Sequence, residues 1–139
     1  MKNVVQSMKL LSDVTRLRIL MVLAKKELCV CQIMGVLEIS QSLVSKNLHL
    51  LATAGFLEER RDGKLVYYAL SRTMSPLQRR LMKLLTDSLK GDTLLNIDYL
   101  SLKDCEEFRK KAGTCDMKTF RDFMKRKKKR VIVKVQGGK

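Results

Sequence analysis

Ile39-Ser40-Gln41-Ser42-Leu43-Val44-Ser45-Lys46-Asn47-Leu48 is the stretch on which the fold turns. Ser40 is a favourable helix N-cap, and Glu38-Ile39-Ser40 reads as a tight turn leading into the helix. From there Val44, Leu48 and Leu51 make an apolar stripe, while Ser42, Ser45, Lys46 and His49 fall at i, i+3, i+4 and i+7 across from it. One face packs and the other is left to read. A short helix from about Cys29 to Leu37 precedes the turn, which is helix-turn-helix spacing. The second helix is therefore expected in a DNA major groove, with Gln41, Ser42, Ser45, Lys46 and His49 as its contacts.

Upstream, Val4, Met8 and Leu11 are spaced i, i+4, i+7, and Val14, Leu17, Met21 and Ala24 repeat the spacing after Ser12-Asp13. This predicts two amphipathic helices split by a cap. Downstream of Gly55, Phe56–Arg61 and Leu65–Leu70 are rich in β-formers and flank Asp62-Gly63-Lys64, whose Asp-Gly pair favours a hairpin turn. Arg60, Arg61 and Lys64 cluster at the tip of that wing, within reach of phosphate or a minor groove. Arg60 or Arg61 is also placed to pair across the strands with Glu58 or Glu59. After Pro76, tolerated at a helix start, Leu77, Leu81, Leu84, Leu85 and Leu89 mark an apolar face too large for one small domain to bury. With the N-terminal helix it predicts a homodimer interface and two reading helices for a two-fold site on double-stranded DNA.

Composition agrees. A chain of 139 residues, 45% apolar, holds one compact domain and a tail. Its net charge of +15 predicts attraction to a polyanion. Residues 1–92 carry 15 Lys/Arg against 8 Asp/Glu, so the basic character is not confined to the tail. No apolar run reaches the roughly 18 residues of a membrane span and no signal peptide follows Met1, so the chain is expected in the cytoplasm with no membrane partner. Thiols there are reduced, ligating or redox-active rather than a disulfide framework. A Cys-x-x-Cys, a phosphate loop and paired catalytic carboxylates are all lacking, so no enzyme and no required cofactor is expected. The fold expected is mainly α with a β-hairpin wing (α+β). Residues 1–92 form the winged helix-turn-helix DNA-binding and dimerisation domain, and residues 93–139 a helical basic C-terminal extension.

One helix before the reading helix stands Cys29-Val30-Cys31. Residues i and i+2 point about 200° apart on a regular helix, so two sulfurs meeting on one ion require an unwound or distorted first turn. Lys25, Lys26 and the positive helix end favour thiolates, which take soft cations. Zinc or cobalt wants four tetrahedral ligands. The single histidine, His49, lies on the reading face, and the Ser75–Lys90 helix offers only Asp87.

Taken together, Leu11-Ser12-Asp13, Thr15-Arg16-Leu17-Arg18-Ile19-Leu20, Glu27-Leu28-Cys29-Val30-Cys31, Ser40-Gln41-Ser42, Val44-Ser45, Ala54-Gly55-Phe56-Leu57 and Gly63 with Val66-Tyr67-Tyr68 resemble the ArsR/SmtB family of winged-helix repressors over roughly residues 3–91. The resemblance implies a dimeric repressor that leaves its operator on binding a metal or metalloid. Glu-Leu-Cys-Val-Cys looks like the variant responsive to trivalent arsenic or antimony, with Cys29 and Cys31 as ligands. Arsenic-responsive relatives often carry a third cysteine where this chain has Met34, whose neutral thioether is no substitute. The third ligand is thus left open: absent, exogenous, or supplied by Cys105 or Cys115. Lys46 and Asn47 replace two histidines common on the family's reading helix, and Val14 a frequent proline, which implies a different operator. Two alternatives stand beside this reading: a thiol redox or reactive-sulfur sensor, and a DNA-binding protein with no ligand. Past Gly91, Leu100–Lys111 and Met117–Lys128 have helical composition, Val131–Val135 is β-prone, and Lys125–Arg130 is either a solvated tail or a source of non-specific DNA affinity.

Overall fold

Residues 1–112 and 121–127 are described by a computed structural model. Ser12 and Asp13 split the first two helices as expected: α1 spans Lys2–Leu11 and α2 spans Val14–Lys25, with the Asp13 carboxylate accepting from the Arg16 N–H. The stripe expected on α2 is only half of its core face: Met21 is buried and Leu17 packs on the core, but Val14 and Ala24 are exposed. Val14 is 65% exposed, whereas Ile19, Leu20, Met21, Val22 and Leu23 are all buried, because neighbours surround the middle of α2 on every side. On α1 only Ser7 and Leu11 are buried, and Val4, Val5 and Met8 face outward.

A two-residue strand, β1 (Leu28–Cys29), leads into α3 (Val30–Leu37). The sequence placed Cys29 in the helix, but its backbone is extended (φ −88°, ψ 169°) and it is the N-cap. Glu38 closes α3 in the left-handed region (φ 57°), which turns the chain sharply into α4 (Gln41–Thr53). Ser40 caps α4 by accepting from the Leu43 N–H at 3.3 Å, and Val44, Leu48 and Leu51 are fully buried. Gly55 (φ +92°) then reverses the chain so that Phe56 plugs the core.

The wing is β2 (Leu57–Asp62) and β3 (Leu65–Leu70), antiparallel, joined through Gly63 (φ +61°) and Lys64. β1 adds to the other edge of β3, giving the order β1-β3-β2 and setting Cys29 opposite Tyr67. α5 (Pro76–Ser88) starts with Pro76 inside a Ser75/Gln78 capping box, and Gln78 Nε2 donates to Ala54 O to tie it to the end of α4. Met82 is its one buried residue. Leu84 is 60% exposed and Leu77, Leu81, Leu85 and Leu89 are half-buried, so its own chain leaves the leucine face partly uncovered.

The core does not stop at residue 92. α6 (Thr93–Ala112) packs on α2 and α3, and Leu95, Leu102 and Cys105, with Phe123 from the helical residues 121–127, join the same buried cluster. Asp98, 1% exposed, takes both ends of the Arg18 guanidinium at 2.9 and 2.8 Å, and Arg18 also donates to Leu37 O at 3.0 Å. One buried ion pair thus ties α6 to α2 and to the end of α3. Among the described residues no helix is long and apolar enough to cross a membrane.

Candidate functional site

The reading face of α4 is open. Gln41, Ser42, Ser45, Lys46 and His49 are all exposed, so the five expected contacts share one uncovered surface. Asn47 behaves otherwise and is 3% exposed. Its amide donates to Leu43 O at 2.9 Å and accepts from Arg16 Nη1 at 3.2 Å, while Arg16 Nε donates to Leu10 O at 2.6 Å. Arg16 and Asn47 therefore lock α4 to the α1–α2 junction. Periodicity carried the signal, because Asn47 falls between Val44 and Leu48 on the packing stripe, where a polar residue needs a partner.

Arg61 and Lys64 are exposed on the wing, opposite or beside Val66 and Leu65. Arg60 has a partner, but neither acid expected for it. It pairs with Glu27 just before β1, and its guanidinium lies 4.8 Å from the centre of the Tyr67 ring. The Arg60 hydrogen bond holds the Glu27 carboxyl below the ordinary carboxylate value. Glu58 instead takes Arg72 beyond β3 at 3.0 Å. Glu27 faces the wing across the sheet because β1, unforeseen from sequence, lies on the far edge of β3.

Cys29 is 2% exposed and Cys31 half-buried, both as thiols at the β1–α3 junction. The Cys29 N–H donates to Gln32 Oε1 at 3.0 Å, and its sulfur faces the Gln32 N–H in a capping box. Cys29 thus lies outside the helix as its extended N-cap, and Cys31 is the second residue of α3. Nearby charge is less than the sequence suggested. Lys26 pairs with Glu106 at 3.4 Å, and Lys25 Nζ lies 4.9 Å from the centre of the Tyr99 ring. Cys105, 8% exposed, has its thiol pushed up to about 11, first by burial and then by the charge of Cys29. Met34 is core. Asp87 is 58% exposed beside Lys90. Among the described residues no three His, Cys, Asp or Glu side chains are already gathered to hold a metal ion. Cys115 and residues 128–135 of the basic run and β-prone tail lie outside the described residues.

Lys127 is the cation that sequence reasoning missed. With its side chain 12% exposed, it donates to Gly35 O at 3.0 Å and Val36 O at 3.2 Å and pairs with Glu38 at 3.7 Å. Burial lowers its pKa. It caps the carbonyl end of α3 beside the helix-turn-helix turn, while Lys125 and Arg126 stay exposed.

Residues 13–59 match the model of the family described as bacterial regulatory protein, arsR family. The arsenic resistance transcriptional regulator ArsR1 of Pseudomonas putida is 34% identical over 77% of this chain and 83% of its own length. A cadmium resistance transcriptional regulatory protein CadC homolog of Staphylococcus aureus is 44% identical over 49% of this chain, and this chain spans 57% of that relative. Among solved structures, a homodimeric winged helix-turn-helix DNA-binding domain of a possible ArsR-family regulator from Mycobacterium bovis is 28% identical with a TM-score of 0.55, covering 66% of this chain and 82% of that one. These proteins are transcriptional regulators rather than enzymes, and the family match runs from the α2 cap through the thiol pair and the reading helix to the first residues of β2. The chain is a member of the ArsR family of DNA-binding, winged helix-turn-helix transcriptional regulators.

Proposed function

We propose that the chain is a homodimeric repressor that leaves its operator when trivalent arsenic or antimony binds Cys29 and Cys31. The observation that carries the reading is the position of the thiol pair. It sits at the N-terminus of α3, whose C-terminus is separated from the first residue of α4 only by Glu38, Ile39 and Ser40. In the DNA-bound form, Gln41, Ser42, Ser45, Lys46 and His49 enter the major groove while Arg61 and Lys64 reach the backbone. Arg60 joins them when it leaves Glu27. Val4, Val5 and Met8 of α1 and Leu84 of α5 supply the apolar surface that a second copy covers.

Release follows from the packing. Each thiol that binds arsenite forms an As–S bond as an As–O bond breaks, and its proton leaves with the hydroxide as water. Arsenic stays trivalent. Drawing Cys31 toward Cys29 strains the capping box, and α3 moves as a unit with the turn that sets α4. A coupling of about 1–3 kcal/mol between ligand and DNA, the usual allosteric range, weakens operator binding roughly 5- to 150-fold. The relative named for cadmium resistance favours a second reading, in which a soft divalent cation takes the same thiols.

Fluorescence anisotropy on the DNA upstream of its own gene tests this, with a non-thiol reductant present. Arsenite is expected to release the wild type and to leave Cys29→Ser/Cys31→Ser bound. Release by cadmium and not arsenite selects the second reading. Release by peroxide or persulfide alone selects a redox sensor, and binding indifferent to all of them a regulator without a ligand.

A further inference from the structure

We propose that Cys105 of α6 is the third sulfur ligand, so that a trivalent metalloid is gripped between β1, α3 and the helix that follows the winged domain. The proposal rests on the reading of Cys29 and Cys31 as the metalloid-binding pair. Two contacts lay the turn that starts at Cys105 over β1. Glu106, the next residue, pairs with Lys26 at 3.4 Å, three residues before Cys29. Arg109, one turn on and on the same face of α6 as Cys105, donates to the Tyr67 hydroxyl at 3.3 Å and stacks 5.8 Å from its ring centre. Tyr67 is the residue directly opposite Cys29 in the sheet. The turn carrying Cys105 is therefore laid across the strand carrying Cys29, in the cluster that also holds Leu28, Ile33 and Leu102.

Chemistry asks for such a residue. Trivalent arsenic bound by two thiols keeps one hydroxide, and a third thiol displaces it as water with no change of oxidation state. Met34 has no proton to give and no charge to offer, and it is occupied in the core. Because the three sulfurs are not gathered beforehand, completing the site moves α6 and α3 relative to each other. α6 holds Arg18 through Asp98, and Arg18 holds Leu37 O at the end of α3. Closure at one end of α3 is thus transmitted to the other end by α6 as well as along α3 itself.

Two arsenicals separate the third ligand from the pair. Arsenite has three exchangeable positions, whereas phenylarsine oxide keeps its As–C bond and takes two thiols. The full-length protein, its Cys105→Ser and Cys105→Ala variants, and Cys115→Ser are titrated with each under a non-thiol reductant, and sulfurs per arsenic are counted by X-ray absorption. Expected are three sulfurs in the wild type and in Cys115→Ser, and two sulfurs with one oxygen in both Cys105 variants. Arsenite affinity in those variants should fall by about ten- to a hundredfold, the range seen when even a ligand's support is lost. Phenylarsine oxide binding should stay at the wild-type value, which also shows that the variants fold. Three sulfurs retained in both Cys105 variants, two sulfurs in the wild type, or loss confined to Cys115→Ser overturns the assignment. An equal loss of phenylarsine oxide in folded Cys105 variants also overturns it, because Cys105 would then belong to the pair. If the wild type binds neither arsenical, the reading of the pair fails together with it.

Discussion

Replacing Asp98 by alanine should be among the most damaging single changes outside the apolar core. The carboxylate is 1% exposed and the Arg18 side chain 16% exposed, and two near-ideal hydrogen bonds at 2.9 and 2.8 Å join them. Removing the acid leaves a largely buried guanidinium whose hydrogen bond to Leu37 O, at 3.0 Å, does not neutralise its charge. Stranding one member of a buried pair costs about 3–5 kcal/mol, a large share of the roughly 5–15 kcal/mol that holds a domain folded. Removing both charges is a different matter, because desolvation is no longer opposed. Arg18→Met/Asp98→Leu should lie within about 2 kcal/mol of wild type on either side. Urea unfolding followed by circular dichroism, at one fixed protein concentration because a dimer couples stability to concentration, gives the four corners of the cycle, wild type, Arg18→Met, Asp98→Leu and the double mutant, with Asp98→Ala measured beside them. A loss below about 1 kcal/mol for Asp98→Ala, or a double mutant as unstable as the sum of the singles, would refute the claim that α6 is electrostatically bolted to α2 and α3.

Leu84→Glu changes a residue already 60% exposed, so it should leave the helical circular dichroism intact while shifting sedimentation from dimer to monomer. Arg61→Ala and Lys64→Ala should each weaken operator and random DNA alike and lower the slope of log affinity against log salt by about 1, as measured by anisotropy across a salt series. Glu27 titrates below its ordinary value because Arg60 stabilises the carboxylate. The pair's contribution is therefore present above about pH 4.5, the unfolded value, and is lost as pH falls through the lower folded one. A carboxyl carbon titration by NMR should place the Glu27 midpoint lower in the wild type than in Arg60→Gln. Leu48→Ala empties a fully buried site on α4 and should cost about 2–5 kcal/mol in urea unfolding.

Local chemistry was what the sequence displayed best. The Ser40 cap, the Val44/Leu48/Leu51 stripe, the Asp62-Gly63 turn and Pro76 at a helix start each depend on neighbours within a few residues, and each stands where it was expected. What failed depends on distant partners. β1 is two residues long and exists only because β3, some forty residues later, pairs with it, so Cys29 read as helical. The stripe on α2 was half right because α6 covers a further side of that helix, which periodicity within α2 does not announce. That cover was half visible: Leu95, Leu102 and Cys105 fall at i, i+7 and i+10, and the acid Asp98 interrupts the stripe at i+3 with no hint that Arg18 answers it. Lys127 was hidden in a basic run whose uniform composition conceals which lysine turns inward. The open faces of α4, α1 and α5 were legible because exposure and periodicity coincide there, whereas the place of Cys105 depends on how α6 packs on the rest of the chain.

Reciprocity gives the most direct measurement of the central claim that thiols at the start of α3 and DNA on α4 bias one equilibrium. Arsenite affinity is measured for the protein alone and for the protein saturated with operator, alongside operator affinity with and without arsenite. DNA should weaken arsenite binding by the same factor as arsenite weakens DNA binding, and arsenite should leave the operator affinity of Cys29→Ser/Cys31→Ser unchanged. Arsenite bound equally well by the DNA complex and the DNA-free protein, at wild-type Cys29 and Cys31, would contradict that claim.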